Sequence, residues 1–376
     1  MRHRLTTLLA AAVLVAGGIA CSNGGAPAAA TGSDAGAAAL REAALKAARV
    51  WRPPSVPIAA ADLGSNPPVE GGFSEHDALA CRFVLREAGG TTPKFYCQLP
   101  DGRELKIKYG RNNPELGGEV AATRLLAALG FGADRMFVVE RVRCAGCPTF
   151  PFQALRCHAR VGLQAACFPG GIDEDRIVDF DVAVVEQKLE GRVIEAFEDQ
   201  GWAWYELDRI DPAHGGSTRA EVDAFRLMAI FLAHWDNKAP NQRLICPTGF
   251  DDPDGTCREP LAIMQDVGAT FGPLKIDLHH WRTGRIWKDG ATCTVSMEHL
   301  PWQGATFPER QISESGRQLL LGLLDQLRDD QVRALFEGAR VPLFAQVSGE
   351  AQRVESWVEA FRNRVDQIRK GGPCPS

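Results

Sequence analysis

The chain has no surplus of basic charge. Its 42 Lys and Arg stand against 47 Asp and Glu, a formal net charge of −5. The electrostatic footprint by which proteins hold nucleic acid is missing, and no nucleic-acid partner is expected. The sequence has no G-x-S-x-G and therefore no serine-hydrolase signal. It has no G-x-G-x-x-G, no internal repeat and no dense histidine site of the kind that holds a metal; Asp277, His279 and His280 read as loop residues. Its first apolar run, residues 5–15, is too short for a good membrane span. What remains is ordinary for a globular protein, with 45% apolar and 24% charged residues. A length of 376 residues suits two domains or one large two-lobed unit.

Residues 1–20 carry the pattern of an export signal. Arg2, His3 and Arg4 give a positive start, the short apolar run follows, and small residues lead to Cys21. The stretch GGIAC resembles the cleavage box of bacterial lipoproteins, with Gly18 where Leu is usual. The resemblance implies a lipidated Cys21 that anchors the protein to a membrane. Ser22 after it, rather than Asp, points to the outer membrane. Plain secretion with Cys21 incidental is the alternative.

Ten further cysteines follow: Cys81, Cys97, Cys144, Cys147, Cys157, Cys167, Cys246, Cys257, Cys293 and Cys374. An even number in an exported chain suggests disulfides. The pairing is open, but Cys81 and Cys97 lie on neighbouring strand-like runs, and Cys246 and Cys257 flank the turn-rich PTGFDDPDGT. CAGC at 144–147, Cys157-His158 and Cys167 could ligate zinc; export favours two disulfides instead.

Residues 21–70 read as a tether and linker, flexible through 22–35 and solvated or transiently ordered through the Ala/Leu-rich 37–51. From residue 79 the texture changes. LACRFVLRE, KFYCQLP and ELKIKYG read as three strands, the last two joined by a tight Asp-Gly turn. GGEVAATRLLAALGF (117–131) reads as a helix that Gly130 ends. RMFVVERV and DVAVVEQKL read as further strands, with a Cys-rich insertion at 144–171 between them. Thr218 with Glu221 forms a capping box opening an apolar helix that runs to about His234. IMQDVG is a short strand, and two amphipathic helices close the chain. Strands with one helix, then mostly helices, predict an α+β fold of two lobes, a β-rich one over 71–191 and a helical one over 192–376.

Four stretches carry chemistry. HWDNKAPN (234–241), at the end of the apolar helix, contains Asp236, Lys238 and Asn241 as D-x-K-x-x-N with His234 two residues ahead. This resembles the protein kinase catalytic loop, H-R-D-x-K-x-x-N. DVGATFG (266–272) resembles the kinase Asp-Phe-Gly, with Val267 in place of Phe. The longer D-x-G-x-x-F-G is similar to phosphatidylinositol kinases and to secreted Golgi casein-type kinases. In LKIKYG, Lys106 and Lys108 share one strand face, and Glu119 at the head of the next helix is a partner for either. The run from KYG through FVV is similar to the matching segment of the secreted casein-type kinases, which favours Lys108 and leaves Lys106 in reserve. EAGGTTPK (87–94), between the first two strands, is an ordinary hairpin loop by itself. In this position Gly89, Gly90, Thr91 and Thr92, with Lys94, could cover phosphates.

The resemblance to the protein kinase-like superfamily covers roughly residues 79–300 and implies the following. ATP with Mg²⁺ would be the cofactor pair. Lys108 and Glu119 would clamp the phosphates, Asn241 and Asp266 would bind the metal, Asp236 would orient or deprotonate the acceptor hydroxyl, and Lys238 would face the transferring phosphoryl. VVEQKLEGR would lead to the hinge, with Glu190 and Gly191 near the adenine. The expected activity is phosphoryl transfer to a hydroxyl of a protein, lipid or glycan. A catalytically inert or nucleotidyl-transferring binding lipoprotein is the alternative, since little ATP is expected outside the cytoplasm and fold does not fix function. A purely structural lipoprotein leaves the ordered motifs unexplained.

Overall fold

A computed structural model describes residues 32–375, apart from 163, 170, 197–199, 302–303 and 345–347. The export signal, Cys21 and the first part of the tether lie outside the described residues. The fold is α+β, with a seven-stranded sheet and several helices. Among the described residues no helix is long and apolar enough to cross a membrane.

The three strands expected from residue 79 onward are β1 (Ala78–Val84), β2 (Lys94–Gln98) and β3 (Glu104–Tyr109). They form an antiparallel meander. Asp101-Gly102 makes the second turn, where Gly102 takes a left-handed φ of 88°. Alternation along β3 sends Leu105 and Ile107 into one core and Lys106 and Lys108 to the opposite face. The first long helix after α1 (Gly32–Lys46) is α2 (Glu115–Ala128), with Gly130 in a left-handed turn just beyond it.

RMFVVERV is two strands rather than one, β4 (Arg135–Val139) and β5 (Arg141–Ala145). The break falls at Glu140, because the amides of Glu140 and Arg141 both turn to the carbonyl of Asp77. β5 then pairs parallel to β1, with Cys81 opposite Cys144. The insertion holds α3 (Pro151–Val161) and α4 (Gln164–Cys167), and β6 (Ile177–Phe180) follows it. With β7 (Ala183–Gln187) the sheet order is β4-β7-β3-β2-β1-β5-β6. Short β8 (Arg192–Val193) joins β9 (Gln242–Cys246) and β10 (Leu261–Met264) in a second sheet.

α5 (Arg219–Leu232) opens as its capping box dictates. The Glu221 amide donates to Thr218 Oγ1 at 3.3 Å, and Glu221 Oε2 accepts from the Thr218 amide at 2.7 Å. The helix is buried on every side and ends at Ala233, whose φ is 56°. Three longer helices, not two, close the chain: Glu314–Leu324, Asp329–Gly338 and Val354–Lys370. They pack with α2 and α5 in the larger apolar core, while Phe95, Ile107, Phe137 and Val142 belong to a second core on the other face of the sheet.

The segment 37–51 is docked along one face rather than free in solvent. Its helix α1 runs into buried Ala44 and Leu45, and Arg41 pairs in the interior with Glu206 at 2.9 Å. The apolar stripe of an Ala-rich helix is narrow, and here a buried ion pair 165 residues away in sequence fixes it.

All ten described cysteines form disulfides. Cys81–Cys97 and Cys246–Cys257 join as their neighbours suggest. Cys144–Cys147 and Cys157–Cys167 replace the zinc alternative in the insertion. Cys293–Cys374 ties the C-terminus to a segment 81 residues earlier.

Candidate functional site

The site begins with the register of the central strands. Lys94 stands opposite Lys108 across β2 and β3, and Lys106 stands opposite Glu186 across β3 and β7. One sheet face therefore gathers three lysines and a carboxylate. α2 crosses below it and brings Glu119. The helix comes close because it carries Gly117 and Gly118: a Cβ on Gly118 would lie 3.0 Å from the carbonyl of Gly268. That contact sets α2 directly against the turn after Asp266.

Lys108 is the hub. Its Nζ lies 2.7 and 2.6 Å from the two oxygens of Glu119, 3.1 Å from Glu186 Oε2 and 3.4 Å from Asp266 Oδ1. Burial alone would weaken its hold on a proton, but Glu119, Glu186 and Asp266 outweigh it and keep the ammonium charged. One cation facing three carboxylates leaves the most enclosed of them short of compensation. Burial, with Glu186 and Asp266 adding to it, pushes Glu119 up to about 7 despite Lys108. Lys108 pulls Asp266 down to about 2 against its burial, with Lys94 helping. Lys106 pairs with Glu186 at 2.7 Å and not with Glu119, so of the two candidate lysines it is Lys108 that meets the helix carboxylate. Lys188 also reaches Glu186, at 2.7 Å. Burial, which would raise Glu186, is outweighed by Lys108, Lys188 and Lys106, and its carboxyl lies well below the usual range.

Glu186 is the member that the motifs did not single out. It sits in the middle of the VVEQKL strand, and its period-two alternation with Val184 and Lys188 is the signal that places it on the lysine face.

The HWDNKAPN loop follows the left-handed end of α5 and is fixed from inside. Asn237 is fully buried. Its Oδ1 accepts from the amides of Thr306 and Phe307 at 2.9 and 3.0 Å, and its Nδ2 donates to the carbonyl of His234 at 3.1 Å. Burial pushes His234 down to about 4, so its ring is neutral, and one ring nitrogen meets the Gln242 amide nitrogen at 3.1 Å. Asp236 and Lys238 lie nearer the surface and pair at 2.9 Å. Asn241 Nδ2 donates to the carbonyl of Asp236 at 2.8 Å, which leaves Asn241 Oδ1 without a partner among the described residues. The carbonyl of Asn241 accepts from the Gln265 amide at 3.0 Å, so the loop is stitched to the residue before Asp266.

Asp266 itself has a φ of 52°, a left-handed conformation uncommon for a residue other than glycine. Strained backbone of this kind persists where the surroundings over-determine it and collects at functional sites. The Asp266 carboxylate and the unpartnered Asn241 oxygen are hard donors of the type that suits Mg²⁺ when phosphates and water supply the other ligands. Among the described residues no cluster of three or more His, Cys, Asp or Glu forms a self-sufficient metal cage.

The loop over 87–94 folds back on the lysine face: a Cβ on Gly90, whose φ is 77°, would lie 3.3 Å from Lys94 Nζ. Thr92 is buried, Thr91 is exposed, and Gly89 has open space around it. Beside Lys106 opens a pocket of about 410 Å³ walled by Tyr96, Arg86, Glu186, Gln187 and Lys188. Its wall does not include Glu190 or Gly191, the pair expected beside an adenine.

No family model matches the chain, and no curated protein matches it. Among solved structures it is similar to the proinflammatory kinase CtkA of Helicobacter pylori, at 10% identity and a TM-score of 0.41, over 81% of this chain and 97% of that one. At this identity the likeness assigns no residue.

Proposed function

We propose that the chain is an exported kinase-like phosphotransferase that transfers the γ-phosphoryl of a nucleoside triphosphate, ATP or a relative, to a hydroxyl. The observation that carries this is the meeting of Glu119, Glu186 and Asp266 on Lys108, from a helix, a strand and a strained turn far apart in sequence. A stability-only cluster would not leave Asp266 in left-handed backbone with one carboxylate oxygen unpartnered among the described residues. Lys108 would be fixed by Glu119 and aimed at the phosphates. Mg²⁺, held by Asp266 and Asn241, would neutralise charge on the phosphate oxygens. Asp236 would accept the proton of the incoming hydroxyl as its oxygen bonds to the γ-phosphorus, and the diphosphate would leave with the bridging electrons. Lys238, paired with Asp236 at 2.9 Å, would face the transferring phosphoryl. Disulfides and the signal-like start support export, with a lipidated Cys21 as the membrane anchor.

The test is intact-mass analysis and thermal unfolding of the purified chain with ATP and Mg²⁺. Transfer adds a phosphoryl mass to the chain or to an offered acceptor, and binding raises the unfolding temperature. A nucleotidyl mass instead would mark the transferring alternative. Neither a mass change nor a thermal shift with any nucleoside triphosphate would sink the proposal.

A further inference from the structure

Lys94 is the one lysine of the cluster left without an anion. It is 7% exposed, stands directly across from Lys108, and lies under Gly90 of the covering loop. Lys106, Lys108 and Lys188 all meet carboxylates within 3.1 Å. Lys94 makes no ion pair and no side-chain hydrogen bond among the described residues.

The Lys94 side chain is largely buried, and its ammonium meets no anion among the described residues. Desolvation disfavours the charge, and only carboxylates out of contact offset it. The neighbours make it worse: after burial, Lys108 and Lys106 on β3 weaken the hold of Lys94 on its proton most, and only Asp266 and Glu119, neither of them in contact, oppose them. Nothing in the fold requires a lysine here, because an apolar side chain of equal length would fill the same space. Lys108, by contrast, is saturated by its three carboxylates and has little charge left to offer an incoming anion.

Resting on the phosphotransferase reading above, we propose that Lys94 is the principal residue that recognises the polyphosphate, completing its ion pair only when a di- or triphosphate lies between β2 and the loop over 87–94, while Lys108, its charge shared among Glu119, Glu186 and Asp266, contributes less. Affinity should then climb with the number of phosphates, and most of that climb should be lost without Lys94.

The test compares the wild-type chain, Lys94→Met and Lys94→Arg, each by thermal unfolding with Mg²⁺ and either ATP, AMP or inorganic tripolyphosphate. In the wild type, ATP and tripolyphosphate should stabilise and AMP should do so weakly. Lys94→Met should unfold at a higher temperature than the wild type without ligand, because the uncompensated charge is gone. It should lose at least tenfold in affinity for ATP and tripolyphosphate and no longer distinguish ATP from AMP. Lys94→Arg should restore the distinction. A Lys94→Met protein that is less stable without ligand, or that binds ATP as the wild type does, would overturn the role of Lys94 and leave the phosphotransferase reading standing. A wild-type chain that responds to neither ATP nor tripolyphosphate would overturn both.

Discussion

The Lys108 ammonium lies 2.6 Å from Glu119 Oε2, and both side chains are buried to within a few per cent. The pair locks α2 to β3, and through the third carboxylate at 3.4 Å it also reads the position of Asp266. Its members are not equivalent. Lys108→Met would leave Glu119 enclosed with no cation, a loss of about 3–5 kcal/mol. Glu119→Gln would leave Lys108 with Glu186 and Asp266, so its loss should be smaller. Urea unfolding of the two variants should rank them in that order, and equal losses would mean that Glu119 alone holds the lysine.

Two buried groups of the site give opposite pH dependences. His234 is held neutral, pushed down to about 4 from an ordinary 6.5. Unfolding lets it take a proton, so its contribution is complete above 6.5 and is lost as pH falls toward 4. Glu119 is raised from 4.5 to about 7, so its contribution is complete below 4.5 and is lost as pH rises through 7. Between those limits the two slopes oppose each other. His234→Gln should therefore expose a stability that falls as pH rises, and Glu119→Gln one that increases. Unfolding midpoints taken in half-unit steps across this range check both signs, and parallel curves for all three proteins would contradict them.

The parts of the fold that local chemistry writes were legible in the sequence. Alternation marked β1 to β3, the Thr218–Glu221 box marked the start of α5, and the spacing of Asp236, Lys238 and Asn241 marked the loop. The missed features depend on partners far along the chain. α1 docks through Arg41 and Glu206, which no window of the sequence brings together. The split of RMFVVERV hangs on the carbonyl of Asp77, more than sixty residues upstream. Glu186 acquires its meaning only from the register that sets β7 beside β3. The isolation of Lys94 cannot be read from residues at all, since it consists of carboxylates going to its neighbours instead.

The disulfides should contribute by the length of chain they close. Cys293–Cys374 spans 81 residues and Cys144–Cys147 only 3. Loop-closure entropy assigns the first about 4.5 kcal/mol and the second about 1.6 kcal/mol. Cys374→Ser should thus lower the unfolding midpoint far more than Cys147→Ser, as calorimetry of the two single variants would record. A larger loss at Cys147 would show that the insertion depends on its disulfide for local packing.

Gly118 gives a prediction in which two local rules disagree. In a helix interior, Gly→Ala is worth roughly 1 kcal/mol of added stability. Gly36 in α1 has nothing within 4 Å of a new Cβ, so Gly36→Ala should show that gain. At Gly118 the Cβ would lie 3.0 Å from the carbonyl of Gly268 and 3.4 Å from Thr270 Oγ1. The turn after Asp266 must then give by a few tenths of an ångström, which loosens the 3.4 Å approach of Asp266 to Lys108. Gly118→Ala should forfeit the gain and weaken Mg²⁺-dependent nucleotide binding, while Gly36→Ala leaves binding untouched. A Gly118→Ala protein with raised stability and unchanged binding would show that the turn shifts freely.

Asp236 separates chemistry from binding. Its side chain is 24% exposed, and its ion pair with Lys238 at 2.9 Å is partly open to water. Such a pair is worth no more than about 1 kcal/mol, so Asp236→Asn should unfold near the wild-type temperature. The groups proposed to meet the nucleotide, Lys94, Lys108 and Asp266, are untouched, so stabilisation by ATP and Mg²⁺ should persist. On the proposed role of Asp236 as acceptor of the hydroxyl proton, its loss should slow transfer by roughly 10²- to 10⁴-fold. Rates of mass gain, measured beside thermal shifts on the same samples, decide the matter. If Asp236→Asn transfers phosphoryl at the wild-type rate, the proton leaves by another route and Asp236 is no more than the partner of Lys238. If wild type and variant bind nucleotide alike and neither transfers anything to any hydroxyl offered, the site is a binder of nucleotide and the carboxylate serves its geometry alone.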